Sequence, residues 1–270
     1  MKCLLFTGFV ICLFTNLIFS EWRWSSSVGY RSYQGFTRYQ IGGFTSFSDG
    51  YEATLHFPTS ELRFPTNIQA LETKINTSTG RVNIFLSHTT NFGHVNSGKL
   101  EDSDWLDSVN KKDIFSESDS ILNLNQVKTG VKYFVNDITL FHNIKTKSFL
   151  TFSYYQKNME FLANNLVQYD LSDSESKPIT VSGNVIAYEQ TIKSPYLGFE
   201  THSIVENFLF KAMEFHTSFG LSPKVEVNDQ DDHILRKKLS KGTATGISSY
   251  FNFSLLFWLN NNWSLSLGRS

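Results

Sequence analysis

Leu150-Thr151-Phe152-Ser153-Tyr154-Tyr155 puts a large apolar or aromatic side chain at every second position. An extended chain turns successive side chains to opposite faces, so this stretch reads as a strand with one apolar and one more polar face. Trp263-Ser264-Leu265-Ser266-Leu267 is the plainest instance of the same period. Val82, Ile84 and Leu86 alternate with Asn83, Phe85 and Ser87, and Phe251, Phe253, Leu255 and Phe257 share a face opposite Asn252 and Ser254. Leu55 and Phe57, then Leu62 and Phe64, behave alike across a turn at Pro58. Helical periodicity is poor everywhere after residue 20. The chain is therefore read as all-β.

Composition sets the outer bounds. Lys+Arg 24 against Asp+Glu 25 leaves a net charge of −1, so nucleic acid is not expected as a partner, since phosphate binding needs a basic excess. Charged residues make up 18 % and aromatic residues 15 %, the reverse of a disordered chain. A mean hydropathy of −0.22 is too polar for a bundle of membrane helices.

Residues 1–20 read as a signal peptide. Lys2 is a short basic start, Cys3 to Phe19 is almost wholly apolar, and Ser20 is a small residue suited to cleavage. An uncleaved anchor helix is the alternative, because the stretch approaches the ~18 residues needed to span a bilayer. Both cysteines, Cys3 and Cys12, fall inside it, so a chain cleaved after Ser20 has no disulfide, no zinc–thiolate site and no cysteine nucleophile. The remainder, 21–270, shows no internal repeat or linker and reads as one domain.

Polar stretches separate the strands. Short ones include Asn76-Thr77-Ser78-Thr79-Gly80 and Asn260-Asn261-Asn262; long ones run roughly over 93–120, 171–184 and 221–246. Short turns at one end and long loops at the other are the pattern of an outer-membrane β-barrel, and about eight to twelve strands of ~10 residues fit this length. Aromatic richness suits its lipid-facing girdles. A soluble β-sandwich is the alternative; in an exported eukaryotic version the sequons at Asn76, Asn252 and Asn262 would carry glycans.

Two acidic clusters lie in the long polar stretches: Glu101-Asp102-Ser103-Asp104-Trp105-Leu106-Asp107 and Asp229-Gln230-Asp231-Asp232-His233. In extended backbone Asp102 and Asp104 share a face, as do Asp229, Asp231 and His233. A carboxylate beside an imidazole orients the ring and stabilises its protonated form, which is what a general base requires. A second carboxylate pair holds and polarises a water, giving a hydrolase without a covalent intermediate. Calcium binding and ordinary solvated surface are the competing readings, although neither cluster has the full calcium-loop pattern. The other histidines, His56, His88, His94, His142, His202 and His216, have no such neighbourhood and are read as structural or surface residues.

These motifs resemble those of the omptins, outer-membrane aspartyl-type endopeptidases of Gram-negative bacteria. Asp102-Ser103-Asp104-Trp105-Leu106-Asp107-Ser108 is similar to the family's Asp-x-Asp-Trp-Met-Asp-Ser. Pro195-Tyr196-Leu197-Gly198-Phe199 is similar to its Pro-Tyr-Ile-Gly-Leu strand, and Asp229-Gln230-Asp231-Asp232-His233 to its Asp-Asn-Asp-Glu-His. Ser60-Glu61-Leu62-Arg63-Phe64 resembles the Ser-x-Leu-x-Trp after the first loop. Order and spacing agree over most of 27–268.

The resemblance implies an antiparallel transmembrane β-barrel of about ten strands with long extracellular loops. It sits in the bacterial outer membrane with its active site facing the exterior. It implies that Asp102 and Asp104 hold the nucleophilic water, that Asp231 and His233 activate it, and that Asp229 helps bind a basic residue of the substrate. Ser118 falls at a serine near the site and takes no role. Polypeptides are the implied substrates and outer-membrane lipid the surroundings. No metal or organic cofactor is implied, lipopolysaccharide is needed for activity, and the expected state is a monomer.

Two departures stand out. Where the family supplies a second acid to the specificity pocket, this chain has Thr37, with Glu52 the nearest substitute, so a broader cleavage specificity than Arg or Lys is expected. The match also ends near the penultimate strand. Either the N-terminal segment (Arg38-Tyr39-Gln40-Ile41 alternates weakly) supplies a further strand, or the barrel closes with fewer, or the sequence is truncated. The alternative function is a non-enzymatic barrel, a small porin or surface adhesin, whose acidic residues would lie scattered over separate loops.

Overall fold

The computed structural model describes residues 21–42, 44–46, 52–54, 56–106, 110–140, 144–173, 175–206, 212–258 and 264–269. Residues 1–20, read as a signal peptide, lie outside them. Among the described residues no helix is long and apolar enough to cross a membrane.

The strands in chain order are β1 (Arg23–Tyr33), β2 (Phe36–Ile41), β3 (Phe44–Ser46), β4 (Glu52–Thr54), β5 (Ser60–Pro65), β6 (Ile68–Thr79), β7 (Val82–Thr90) and β8 (Val95–Asp104). They continue with β9 (Ile114–Leu140), β10 (Ile144–Asp170), β11 (Ile179–Glu206), β12 (Ala212–His233), β13 (Lys238–Trp258) and β14 (Ser264–Arg269). A 3-10 turn, Ile234–Arg236, joins β12 to β13. All but the small β3–β4 hairpin form one antiparallel sheet, ordered β1-β6-β7-β9-β10-β11-β12-β13-β14. β2, β5 and β8 continue the staves of β1, β6 and β7 upward, β5 pairing with both β2 and β8.

The sheet is rolled into a barrel, and contacts across its interior show it. Phe64 of β5 stacks on Tyr188 of β11 at 4.3 Å between ring centroids. Tyr33 of β1 donates a hydrogen bond to Gln126 of β9 at 3.2 Å. β1 and β14 are the ends of the sheet path, with no pairing between them among the described residues.

Two of the three polar stretches read as long loops fold mainly as strands, which corrects that boundary; the third, 171–184, is a connection as far as Ile179, where β11 begins. Residues 95–104 are β8, 114–120 open β9, and 221–246 are the facing ends of β12 and β13 around a three-residue turn. Asn76–Thr79 likewise belong to β6, with the turn at Gly80. Asn260–Asn262 lie outside the described residues.

The physical reason is visible along β10. Its lower half turns Leu150, Phe152 and Tyr154 outward, Phe152 being 60 % exposed, and Thr151 and Ser153 inward, both buried. Its upper half turns Asn158 and Glu160 outward and buries Met159, Phe161 and Ala163. The polarity of the two faces inverts partway up. Leu197 and Phe199 of β11, Phe219 and Leu221 of β12, and Phe251 of β13 extend the outward apolar belt through direct cross-strand partners. The lower lumen is filled by charged and aromatic side chains, such as Glu72 paired with Arg31 at 2.8 Å and Lys128 over the Tyr250 ring at 4.4 Å. Above it sits an apolar core of Leu62, Phe64, Leu100, Leu122, Leu124, Phe161 and Tyr188, among others.

Candidate active site

The site lies on top of that core, at the upper ends of β8 and β12. Strand periodicity places Asp102 and Asp104 on the inward face of β8, beside Leu62 and Ser60 of β5 and Ser116 and Ile114 of β9. It places Asp229, Asp231 and His233 on the inward face of β12, opposite Gln190, Tyr188 and Ile186 of β11. Trp105, Leu106 and Asp113 are pinned where β8 ends. Trp105 N–H donates to Thr59 O and Asp113 N–H to Asp104 O, each at 2.9 Å. Leu106 N–H donates to the buried Asp113 carboxylate at 2.7 Å. Asp107 and Ser108 lie outside the described residues. Glu101 turns outward to pair with Arg63.

His233 Nε2 lies 3.0 Å from Asp231 Oδ2, and the Asp231 side chain is 4 % exposed. Asp102 faces this couple from the other strand. Burial, followed by the Asp104 charge, pushes the Asp102 carboxyl up to about 7, while His233 and Arg236 act in the opposite direction. That His233, Arg236 and Asp231 all act on Asp102 shows that the two acidic motifs, 127 residues apart from Asp104 to Asp231, meet in one cleft. Asp102 Oδ1 and Asp231 Oδ1 are buried and accept no hydrogen bond from the protein. A buried carboxylate oxygen without a donor is costly. The cleft thus offers acceptors on two walls and a base beside them, an arrangement suited to a polar guest.

Asp229 lies one step below Asp231 on the same face of β12. Tyr188, 1 % exposed, donates to Asp229 Oδ2 at 3.2 Å and accepts from Gln190 Nε2 at 2.9 Å. Thr37 Oγ1 donates to Gln190 Oε1 at 3.3 Å, so the residue at the family's acidic position closes a neutral hydrogen-bond chain. Glu52 lies on β4, outside this sheet. Burial, with Asp229 and Asp231 adding to it, raises the Tyr39 phenol above its ordinary range. Gly242 is the direct cross-strand partner of Asp229, and a Cβ there would stand 2.2 Å from Asp229 Oδ1. Ser118 is buried below Ser116 and reaches neither couple through any hydrogen bond among the described residues.

Arg236, Tyr188, Gln190 and Tyr39 are site residues that the sequence reading missed. Tyr188 and Gln190 are two steps of one alternating run, Ile186-Tyr188-Gln190, which is the signal that could have found them. Arg236 sits in the 3-10 turn, where no period operates.

Comparison with known proteins bears on the fold and the family. No curated protein matches. The outer membrane protease OmpT from Escherichia coli is similar in structure, with a TM-score of 0.67 at 18 % identity, covering 91 % of this chain and 80 % of that one. The unliganded ferric citrate transporter FecA aligns at a TM-score of only 0.32 and 8 % identity, over 91 % of this chain and 32 % of its own. The model of the Omptin family matches residues 65–268. Barrel, paired acidic strands and family match converge, and the chain belongs to the Omptin family.

Proposed function

We propose that this protein is an outer-membrane endopeptidase that hydrolyses peptide bonds with an activated water. One observation carries the reading: Asp102 and Asp104 from β8 and Asp231 and His233 from β12 converge on a single cleft rather than lying scattered. Similarity in fold to an outer membrane protease supports it.

In this reading Asp102 and Asp104 hold the water, and burial with the neighbouring Asp104 charge favours the protonated form of Asp102. His233 donates through Nε2 to Asp231, so Nδ1 carries the lone pair that takes the water's proton. The hydroxide attacks the peptide carbonyl carbon and forms a tetrahedral oxyanion. The imidazolium returns its proton to the amide nitrogen, and the C–N bond breaks. These steps use only the chain's own groups and water. Asp229, steadied by Tyr188, receives a substrate side chain; with Thr37 in place of a second acid, one carboxylate serves there.

The outward belt of Leu150, Phe152, Leu197, Phe219 and Phe251 faces lipid, since ~9–11 tilted residues span a bilayer. β10 and β11, of 27 and 28 residues, continue well beyond it, which lifts the cleft out on the extracellular side. The protein acts as a monomer on polypeptides, with lipopolysaccharide around its outer half.

The test is cleavage of a quenched Arg-Arg peptide and of a mixed peptide library by refolded protein in detergent with lipopolysaccharide, beside His233→Ala and Asp102→Ala. Cleavage by the unaltered chain, lost in both variants, is expected. A folded barrel that cleaves neither substrate overturns the reading in favour of a porin or adhesin.

A further inference from the structure

The lower mouth of the barrel holds a second cluster that the cleavage chemistry does not use. His202 of β11 and His216 of β12 are direct cross-strand partners with ring centroids 4.2 Å apart. Each stands four residues from the end of its strand, at Glu206 and Ala212. Glu200, two residues before His202 on the same inward face, contacts His202 Nε2. Glu200, His202 and His216 each bring a ligand atom within 4.8 Å of the others. Glu214 Oε2 lies 3.0 Å from His216 Nε2, while its Oε1 accepts from Trp258 Nε1 at 2.8 Å. Roughly 56 Å of strand separates His216 from His233 at ~3.3 Å per residue, so this cluster is remote from the cleft.

We propose that His202, His216 and Glu200 form a binding site for a divalent transition-metal ion of the zinc class at the lower mouth. Two imidazoles and one carboxylate are the donor set that suits zinc with one position left open. Magnesium and calcium, which require six or more oxygens, do not fit it. Glu214 supplies the outer support expected of such a site, engaging the second nitrogen of a ligating imidazole and fixing the ring. The His202 and His216 side chains are 28 % and 32 % exposed, so an ion can enter from solvent. Lys132 Nζ, 2.6 Å from Glu200 Oε1, competes for the carboxylate and must swing aside when the ion binds. The site is structural or regulatory and holds whether or not the upper cleft cleaves peptides.

The experiment is Co²⁺ titration of refolded protein in detergent, followed by visible absorption, with Zn²⁺ displacing the Co²⁺. One ion per chain is expected, with the intense bands of a four-coordinate site. His202→Gln and His216→Gln should abolish binding, Glu214→Gln should weaken it at least about tenfold, and His233→Ala should leave it unchanged. Zinc-edge absorption on the unaltered chain provides a check that needs no variant: its ligand shell should contain two imidazoles. An all-oxygen shell overturns the proposal. So does binding unaffected by the His202 and His216 variants, binding lost in His233→Ala, or the absence of binding at millimolar Co²⁺.

Discussion

His233 Nε2 sits 3.0 Å from Asp231 Oδ2, two residues back along the same face of β12. A strand holds i and i+2 side chains in parallel, so the couple is set by local geometry and does not depend on a flexible loop. If Asp231 orients the ring, Asp231→Asn should lower kcat by about 10²–10⁴ while leaving the barrel folded, and His233→Ala should lose at least as much. The double variant should fall little below His233→Ala, because the two act as a unit. Additive losses in steady-state kinetics would argue against the couple.

The elevated carboxyl of Asp102 has a consequence for stability. Its pKa is raised from 3.8 in the unfolded chain to about 7 in the fold. The protonated form therefore favours the fold, and that contribution, complete below pH 4, is lost as pH rises through 7. At about 1.4 kcal/mol per pKa unit the loss is at most about 4 kcal/mol. Asp102→Asn should raise the unfolding midpoint at pH 8, and the gain should shrink toward zero near pH 4. Urea unfolding in detergent at both pH values measures it; an equal shift at the two would remove Asp102 as the cause.

Much of this site was legible because strand periodicity does the work. Asp-x-Asp and Asp-x-Asp-x-His fall on shared faces in any extended chain, and both do so here. The long polar stretches misled because the upper barrel stands in water. There Asn158 and Glu160 point outward while Met159 and Phe161 are buried, so mean polarity resembles a loop even though the alternation persists. His202 and His216 were illegible for another reason. Fourteen positions separate them, and only the register of the β11–β12 hairpin brings them face to face.

The inversion of polarity along β10 predicts opposite tolerance at two outward positions. Phe152→Lys places a charge in the apolar belt and should cost about 2–4 kcal/mol in lipid vesicles. Asn158→Lys, six residues higher on the same face, should change stability by no more than about 0.5 kcal/mol. Denaturant unfolding in vesicles distinguishes them. Equal costs would mean that the belt does not face lipid.

Tyr188 joins the core to Asp229, stacking on Phe64 and donating to the carboxylate. Tyr188→Phe keeps the ring and removes only the donor, so it should cost about 1 kcal/mol of stability. Tyr188→Ala also opens a cavity and should cost about 3–5 kcal/mol. In Tyr188→Phe the freed Asp229 carboxylate should shift KM more than kcat; a pure kcat loss would place the phenol in the chemical step.

Gly242 gives the sharpest test of Asp229 as a recognition group. It is the direct partner of Asp229 across β12 and β13, and a Cβ added there would lie 2.2 Å from Oδ1 and 3.1 Å from Cγ. The carboxylate must then rotate, and the Tyr188 bond must stretch or break. Gly242→Ala should raise KM for peptides with Arg or Lys at the scissile bond about tenfold, a loss of about 1.4 kcal/mol of binding, with kcat within about twofold. Gly246→Ala, where a Cβ meets nothing within 4 Å, is the matched control on the same strand. If Gly242→Ala leaves KM for basic peptides at the level of the control, Asp229 does not receive the substrate side chain, and recognition must rest on the neutral wall of Thr37 and Gln190 instead.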